Sequence, residues 1–422
     1  MAIRLSNICL FSTLILALAF ESCREKGCTD PSAINYDPKA ERDDRSCNYG
    51  EKYESEKHEI MENHANIAYA LYTDALIEAI AFDTAVHQFV KDPSGDGLSA
   101  AQLAWRNAHF AYMRCYVLRF SNGPIDDERH LDRLIDAWPI REEFVDQTPK
   151  GFSGIVNDPS LIKKLSKDSL VAINEHYDGG YISTGFHVLE YLLWSFDTAD
   201  VAQATPGLRE YYEFIPSYPG TKNATRRAAM LRICADLLVD HLTILQNEWS
   251  EVGIENYRTD FLALDVNEAL RNILMGIGTL AKSELADRAL LLPLNQVNPD
   301  LEMSPFSDNT SIELGYAVEG IEIVYNGIYE SKNVASLVAG KSIHELIVTM
   351  DSGLEELVQE TLDDARSSAD TIPSPFDWYI TQEAVKGNGP VRETADHLMK
   401  LEDLMYEVAD RNGFGLVTKL PN

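Results

Sequence analysis

Apolar positions along most of this chain recur every three or four residues, the period of a helix that buries one face. Leu231, Cys234, Leu238, Leu242, Leu245 and Trp249 lie at spacings of 3, 4, 4, 3 and 4. Val391, Ala395, Leu398, Leu401, Met405 and Val408 repeat the pattern ahead of a helix stop at Asn412-Gly413. Further helices are expected over residues 56–89, 99–120, 160–176, 184–194, 260–285, 311–328 and 343–369. Asp92-Pro93-Ser94-Gly95-Asp96-Gly97 reads as a turn with Ser99 as the following cap. Strand-like alternation is nearly absent, so the expected fold class is all-α, with helices covering one another's apolar faces. Turn formers from Thr205-Pro206-Gly207 to Pro219-Gly220-Thr221 divide the body into two helical-bundle halves packed together, residues 51–222 and 223–418. A second irregular stretch, residues 292–310, interrupts the C-terminal half and is the kind of long polar loop that carries function.

The first 22 residues depart from this pattern. Arg4 precedes an apolar run from Ile8 to Phe20, the layout of a secretory signal. The run is too short to span a bilayer, which asks for about 20 residues. Ser22-Cys23 resembles a bacterial lipoprotein cleavage site, after which Cys23 carries lipid, although Phe20-Glu21 departs from the usual aliphatic and small residues there. Residues 23–50 then form a polar tether in which Cys28 and Cys47 are expected to pair as a disulfide. The chain is therefore expected to be exported and lipid-anchored to the outer membrane, facing periplasm or cell surface, with no other membrane contact.

Composition narrows the function classes. The 422 residues, 45% hydrophobic, suffice for two or three cores. Lys and Arg total 36 against 67 Asp and Glu, a net charge of −31 that repels phosphate backbones and excludes nucleic acid as a partner. Neither His58-Glu59 nor His344-Glu345 continues into a two-histidine zinc helix, and no nucleophile elbow, phosphate-binding Gly-Lys loop or Cys-x-x-Cys pair occurs.

Candidate chemistry concentrates at Gly185-Phe186-His187-Val188-Leu189-Glu190. His187 and Glu190 are three apart, share one helical face, and offer an imidazole and a carboxylate to one metal ion. The same spacing also occurs on solvated helices that bind nothing.

The stretch Thr184 to Trp194 resembles the signature of the imelysin-like family: Gly-x-His-x-x-Glu followed by an aromatic, two leucines and a tryptophan. Trp105 to Phe120, Gly123-Pro124-Ile125-Asp126, Trp138-Pro139, Arg226-Arg227 to Trp249, Phe306-Ser307-Asp308-Asn309-Thr310, Val324-Tyr325-Asn326-Gly327 and Pro375-Phe376-Asp377 follow in the family's order, so the resemblance covers residues 60–415. It implies a site where the His-x-x-Glu helix meets the Ser-Asp-Asn-Thr loop, with His187, Glu190, Glu302 and Asp308 as metal ligands. Ser304 and Ser307 then form part of the site wall. The loop's Ser, Asp, Asn and Thr equally suit a helix cap for the segment that follows. One departure matters: the family's arginine and glutamate on the Trp105 helix are here His109 and Tyr116. His109, Tyr112 and Tyr116 share a face and form either a rebuilt wall with nitrogen and phenol groups or a site that has lost a ligand.

These readings imply an exported lipoprotein that binds a divalent metal, iron or zinc, or an iron-carrying ligand, and hands it to an outer-membrane transporter. The alternative is a metallopeptidase in which the same His187 and Glu190 hold a metal-activated water. A surface lipoprotein without metal is the third reading.

Overall fold

The computed structural model describes residues 26–29, 33, 35–44, 46–47, 53–176, 179–196, 206–253, 255–333 and 336–415. The signal-like segment 1–22 and Cys23 lie outside the described residues. Among the described residues no helix is long and apolar enough to cross a membrane.

Helices dominate, as the periodicity predicts. One group comprises α1 (Glu54–Lys91), α2 (Gly95–Met113), α3 (Phe186–Trp194) and α4 (Ala224–Glu248). Helix α1 packs on α2 and α4, and α3 packs on both α2 and α4. A second group comprises α5 (Val266–Thr279), α6 (Thr310–Asn326), α7 (Ser352–Asp370) and α8 (Pro390–Arg411), with α8 packed between α5 and α7 and α7 against α6. Helix α6 also lies against α2 and the 3-10 turn Arg114–Leu118, while α1 touches α5, so one apolar core runs through both groups. Although α4 follows the turn-rich stretch, it belongs by contact with α1 and α3. Local composition marks the linker there, but the packing partner is set by residues more than 100 positions away.

Among the described residues strands are confined to an antiparallel pair, Ile328–Glu330 with Leu337–Ala339, and a parallel pair, Lys26–Gly27 with Arg42–Asp43. The latter belongs to the N-terminal segment, which the Cys28–Cys47 disulfide closes.

Several boundaries shift for reasons visible in the caps. Helix α2 starts four residues before the expected cap, because Ser94 Oγ, not Ser99, accepts from Gly97 N at 3.2 Å. The stretch 160–176 is helical only over Lys167–Ile173, where Ser166 and Ser169 form a reciprocal cap. The run 260–285 breaks at Asp265, whose carboxylate accepts from Asn267 N and Glu268 N at 3.0 and 3.1 Å and starts α5 afresh. Helix α5 then widens into a π-helix over Leu280–Leu291, a geometry often found beside functional sites. Its Arg288 pairs with Glu284 at 2.8 Å, bonds the Trp138 carbonyl, and holds its guanidinium 3.9 Å from the centre of the Trp138 ring. That clamp fixes the segment carrying Asp136.

Candidate functional site

Helix α3 begins against the backbone of Leu134 and Ile135. Gly185 has φ +90°, and a Cβ at that position would stand 2.5 Å from the Ile135 carbonyl oxygen, so only glycine permits the approach. Thr184 Oγ1 adds a bond to the Leu134 carbonyl at 3.0 Å, and Trp105 Nε1 donates to the Phe186 carbonyl at 3.0 Å. Together these contacts bring His187, the second residue of α3, beside Asp136 and beside His109 on α2.

Two imidazoles converge on one carboxylate oxygen. His109 Nε2 and His187 Nε2 each lie 3.1 Å from Asp136 Oδ1, and their rings are perpendicular with centroids 5.3 Å apart. Each ring is oriented from behind by its own glutamate. His109 Nδ1 is 2.8 Å from Glu313 Oε1, and His187 Nδ1 is 3.0 Å from Glu190 Oε2. Ionised carboxylates only accept, so both Nδ1 atoms carry protons. Tyr116 donates its hydroxyl to Asp136 Oδ2, and Ser304 Oγ donates to Glu313 Oε2 at 2.7 Å. Glu190 Oε1 accepts three bonds, from Phe306 N (3.1 Å), Ser307 N (2.8 Å) and Ser307 Oγ (2.6 Å). His109, Asp136, His187, Glu190 and Glu313 are all buried.

Burial opposes a charged imidazole, yet the anions around these two prevail. Glu313 and Asp136 carry His109 up to about 10, and Asp136 with Glu190 carries His187 up to about 9. Burial likewise opposes ionised Asp136, but His109 and His187 hold it well below the usual carboxylate range. Without metal the cluster is thus a closed set of ion pairs, in which His109 supplies the positive charge of the arginine expected at its position.

His187 also faces a cavity of about 740 Å³, lined by Trp138, Arg141, Glu302, Phe306 and Asp377 among others. Three buried atoms on that wall have no hydrogen-bond partner among the described residues: Trp138 Nε1, Glu302 Oε2, and His187 Nε2, which is ion-paired with Asp136 Oδ1 at 3.1 Å but not hydrogen-bonded. Burial first, then the charges of Asp377, Asp308 and Glu190, raise Glu302 well above the ordinary carboxylate range, so its carboxyl holds a proton more readily than a solvated one. A raised carboxyl opposes folding once pH exceeds its unfolded value. Glu302→Gln is therefore expected to keep or raise stability at pH 7, and to raise it more at pH 9, in urea unfolding of the metal-free protein.

Of the residues singled out from the sequence, His187, Glu190, His109, Tyr116, Ser304 and Ser307 meet here. Tyr112 packs its ring on Phe186 and Tyr116. Glu302 lines the cavity, whereas Asp308 is half-buried; both stand outside the group of His109, Asp136 and His187, whose ligand atoms lie within 4.8 Å of one another. Glu190 acts behind His187, with both oxygens already engaged. Asn309 occupies the cap position of α6, yet its side chain makes no cap hydrogen bond and instead receives Arg106 Nε at 3.2 Å. Thr310 Oγ1 receives Ser304 N at 2.9 Å. Two members of the cluster, Asp136 and Glu313, carry no local signal in the sequence, although Asp136 sits two residues before the Trp138-Pro139 pair.

Helices from two packed groups enclosing a histidine–carboxylate cluster beside a cavity define the class: a helical protein with a buried, polar site between its halves. The chain belongs to the imelysin family, whose model matches residues 68–406. A solved structure from Parabacteroides distasonis named iron-regulated protein A precursor is similar, with TM-score 0.64 and 17% identity over 85% of this chain and 95% of that one. An imelysin-like protein from Psychrobacter arcticum gives TM-score 0.55 and 14% identity over 84% and 93%. No curated protein matches the chain.

Proposed function

We propose that this protein is an exported, lipid-anchored metal binder of iron or related metal acquisition, holding one divalent ion at His109, Asp136 and His187. The observation that carries this reading is the convergence of two Nε2 atoms on Asp136 Oδ1, each ring oriented through Nδ1 by a glutamate. Metal-binding histidines are held in that manner. The donor set of two nitrogens and a carboxylate suits iron or zinc. His187 Nε2 and Glu302 Oε2, both buried without a hydrogen-bond partner among the described residues, mark the cavity as the route by which an ion, a carrier or a substrate reaches the cluster. The name of the Parabacteroides structure supports iron over zinc. One observation favours hydrolysis as a second reading: Glu302, its carboxyl raised by burial and with Oε2 unbonded, lines the cavity, where a peptidase needs an acid–base group near its metal-bound water.

Titration of the chelator-stripped full chain with Fe²⁺ or Zn²⁺ tests the proposal, with peptide cleavage assayed in parallel. One ion is expected to bind at the buried cluster, and His187→Ala is expected to weaken that ion about 100-fold or more. Bound metal must displace protons from imidazoles raised to about 10 and about 9. Affinity is therefore expected to climb through the neutral range up to about pH 10, not to level off near the free-imidazole value of about 6.5. Equal binding by the parent and His187→Ala ends the reading.

A further inference from the structure

A separate group of ligating side chains sits where α1 meets α4. Asp83 and His87 are one turn apart on α1, and Asp236 faces them from α4. His87 Nε2 lies 2.8 Å from Asp236 Oδ1 and 3.5 Å from Asp83 Oδ1, and the three ligand atoms fall within 4.8 Å of one another. Those separations bracket about 3.3 Å, the edge of a tetrahedron whose metal–ligand bonds are about 2.0 Å. Asp83 Oδ1 is shielded from solvent yet has no hydrogen-bond partner among the described residues. The His87 side chain is 42% exposed and opens into a shallow depression of about 520 Å³, so a hydrated ion can reach the group.

We propose that Asp83, His87 and Asp236 form a second divalent-metal site, which takes Zn²⁺ with water completing its coordination. The two carboxylates repel across the helix interface, and a dication between them removes that repulsion while satisfying the orphaned oxygen. Lys91 and Arg232 line the depression, and Lys167 pairs with Asp240 while reaching the Asp236 carbonyl at 3.5 Å. These cations set a moderate affinity. The site shares no residue with the buried cluster, so its fate is independent of the reading above.

The test is Zn²⁺ titration of the chelator-stripped full chain against a chromophoric competitor, in the parent and in a His187→Ala background. One zinc is expected to remain bound in His187→Ala. Adding His87→Ala or Asp236→Asn is expected to weaken that zinc at least tenfold while the helical far-UV spectrum is kept. His87→Gln, which preserves size, is expected to behave like His87→Ala. Zinc uptake that disappears altogether in His187→Ala overturns the proposal, as does unchanged affinity in both His87→Ala and Asp236→Asn.

Discussion

Asp136→Asn is expected to lower unfolding free energy by about 3–5 kcal/mol at pH 7 in the metal-free protein, the cost of removing one partner from a buried charge cluster. The carboxylate accepts the Tyr116 hydroxyl and stands 3.1 Å from both Nε2 atoms, with all partners out of solvent. An amide keeps the shape but supplies no charge to two imidazolium rings, and its NH2 faces a donor. The pH profile gives an independent reading. His109 and His187 are raised in the folded state to about 10 and about 9. Their contribution is fully present below about pH 6.5, the unfolded value, and is lost as pH rises through 9 to 10. Asp136 is lowered when folded, so its contribution is present above about pH 4 and is lost as pH falls further. The parent should thus hold a plateau from this cluster between about pH 4 and 6.5 and weaken on either side. Urea midpoints measured from pH 3 to 10 decide it. A parent as stable at pH 10 as at pH 6, or an Asp136→Asn variant with the parent's alkaline slope, would show that the cluster is not ionised in this way.

The sequence makes the helices legible because each writes its buried face into its own spacing. It makes His187 and Glu190 legible because they share one turn of one helix. Asp136 and Glu313 left no such mark. Asp136 meets His187 across 51 positions, and Glu313 meets His109 across 204, so nothing local distinguishes them from the chain's many solvated carboxylates. The role of His109 was half visible. Its replacement of arginine reads as either a rebuilt wall or a lost ligand until two anions are found flanking both ring nitrogens, which restores the cation by raising the imidazole. Glu190 was legible as a site residue but not in its role, since the three donors on its outer oxygen come from a loop more than 100 residues later. The same distance hides the packing of α4 with α1.

That role for Glu190 separates two chemistries that its spacing from His187 leaves joined. If Glu190 were a ligand, Glu190→Gln would weaken metal and leave the His187 ring as it was. In the observed geometry the glutamine oxygen can still receive Phe306 N, Ser307 N and Ser307 Oγ, so the loop remains attached and the loss of stability should be modest. Its NH2, however, takes the place of the oxygen 3.0 Å from His187 Nδ1, setting donor against donor. His187 escapes by releasing its Nδ1 proton and keeping the one on Nε2, which removes the lone pair that a metal at Asp136 needs. Metal affinity is expected to drop about 10–100-fold, the usual cost of losing the group that orients a histidine ligand. Nitrogen-15 spectra of the histidines at pH 8, with metal absent, should show His187 as the Nε2–H tautomer in Glu190→Gln and as the doubly protonated ring in the parent. Glu190→Ala supplies the contrast, because it strands three buried donors and should cost about 3–5 kcal/mol of stability. A Glu190→Gln protein that loses metal with the His187 signals unmoved would return Glu190 to the ligand set; one that binds metal like the parent would remove it from the site.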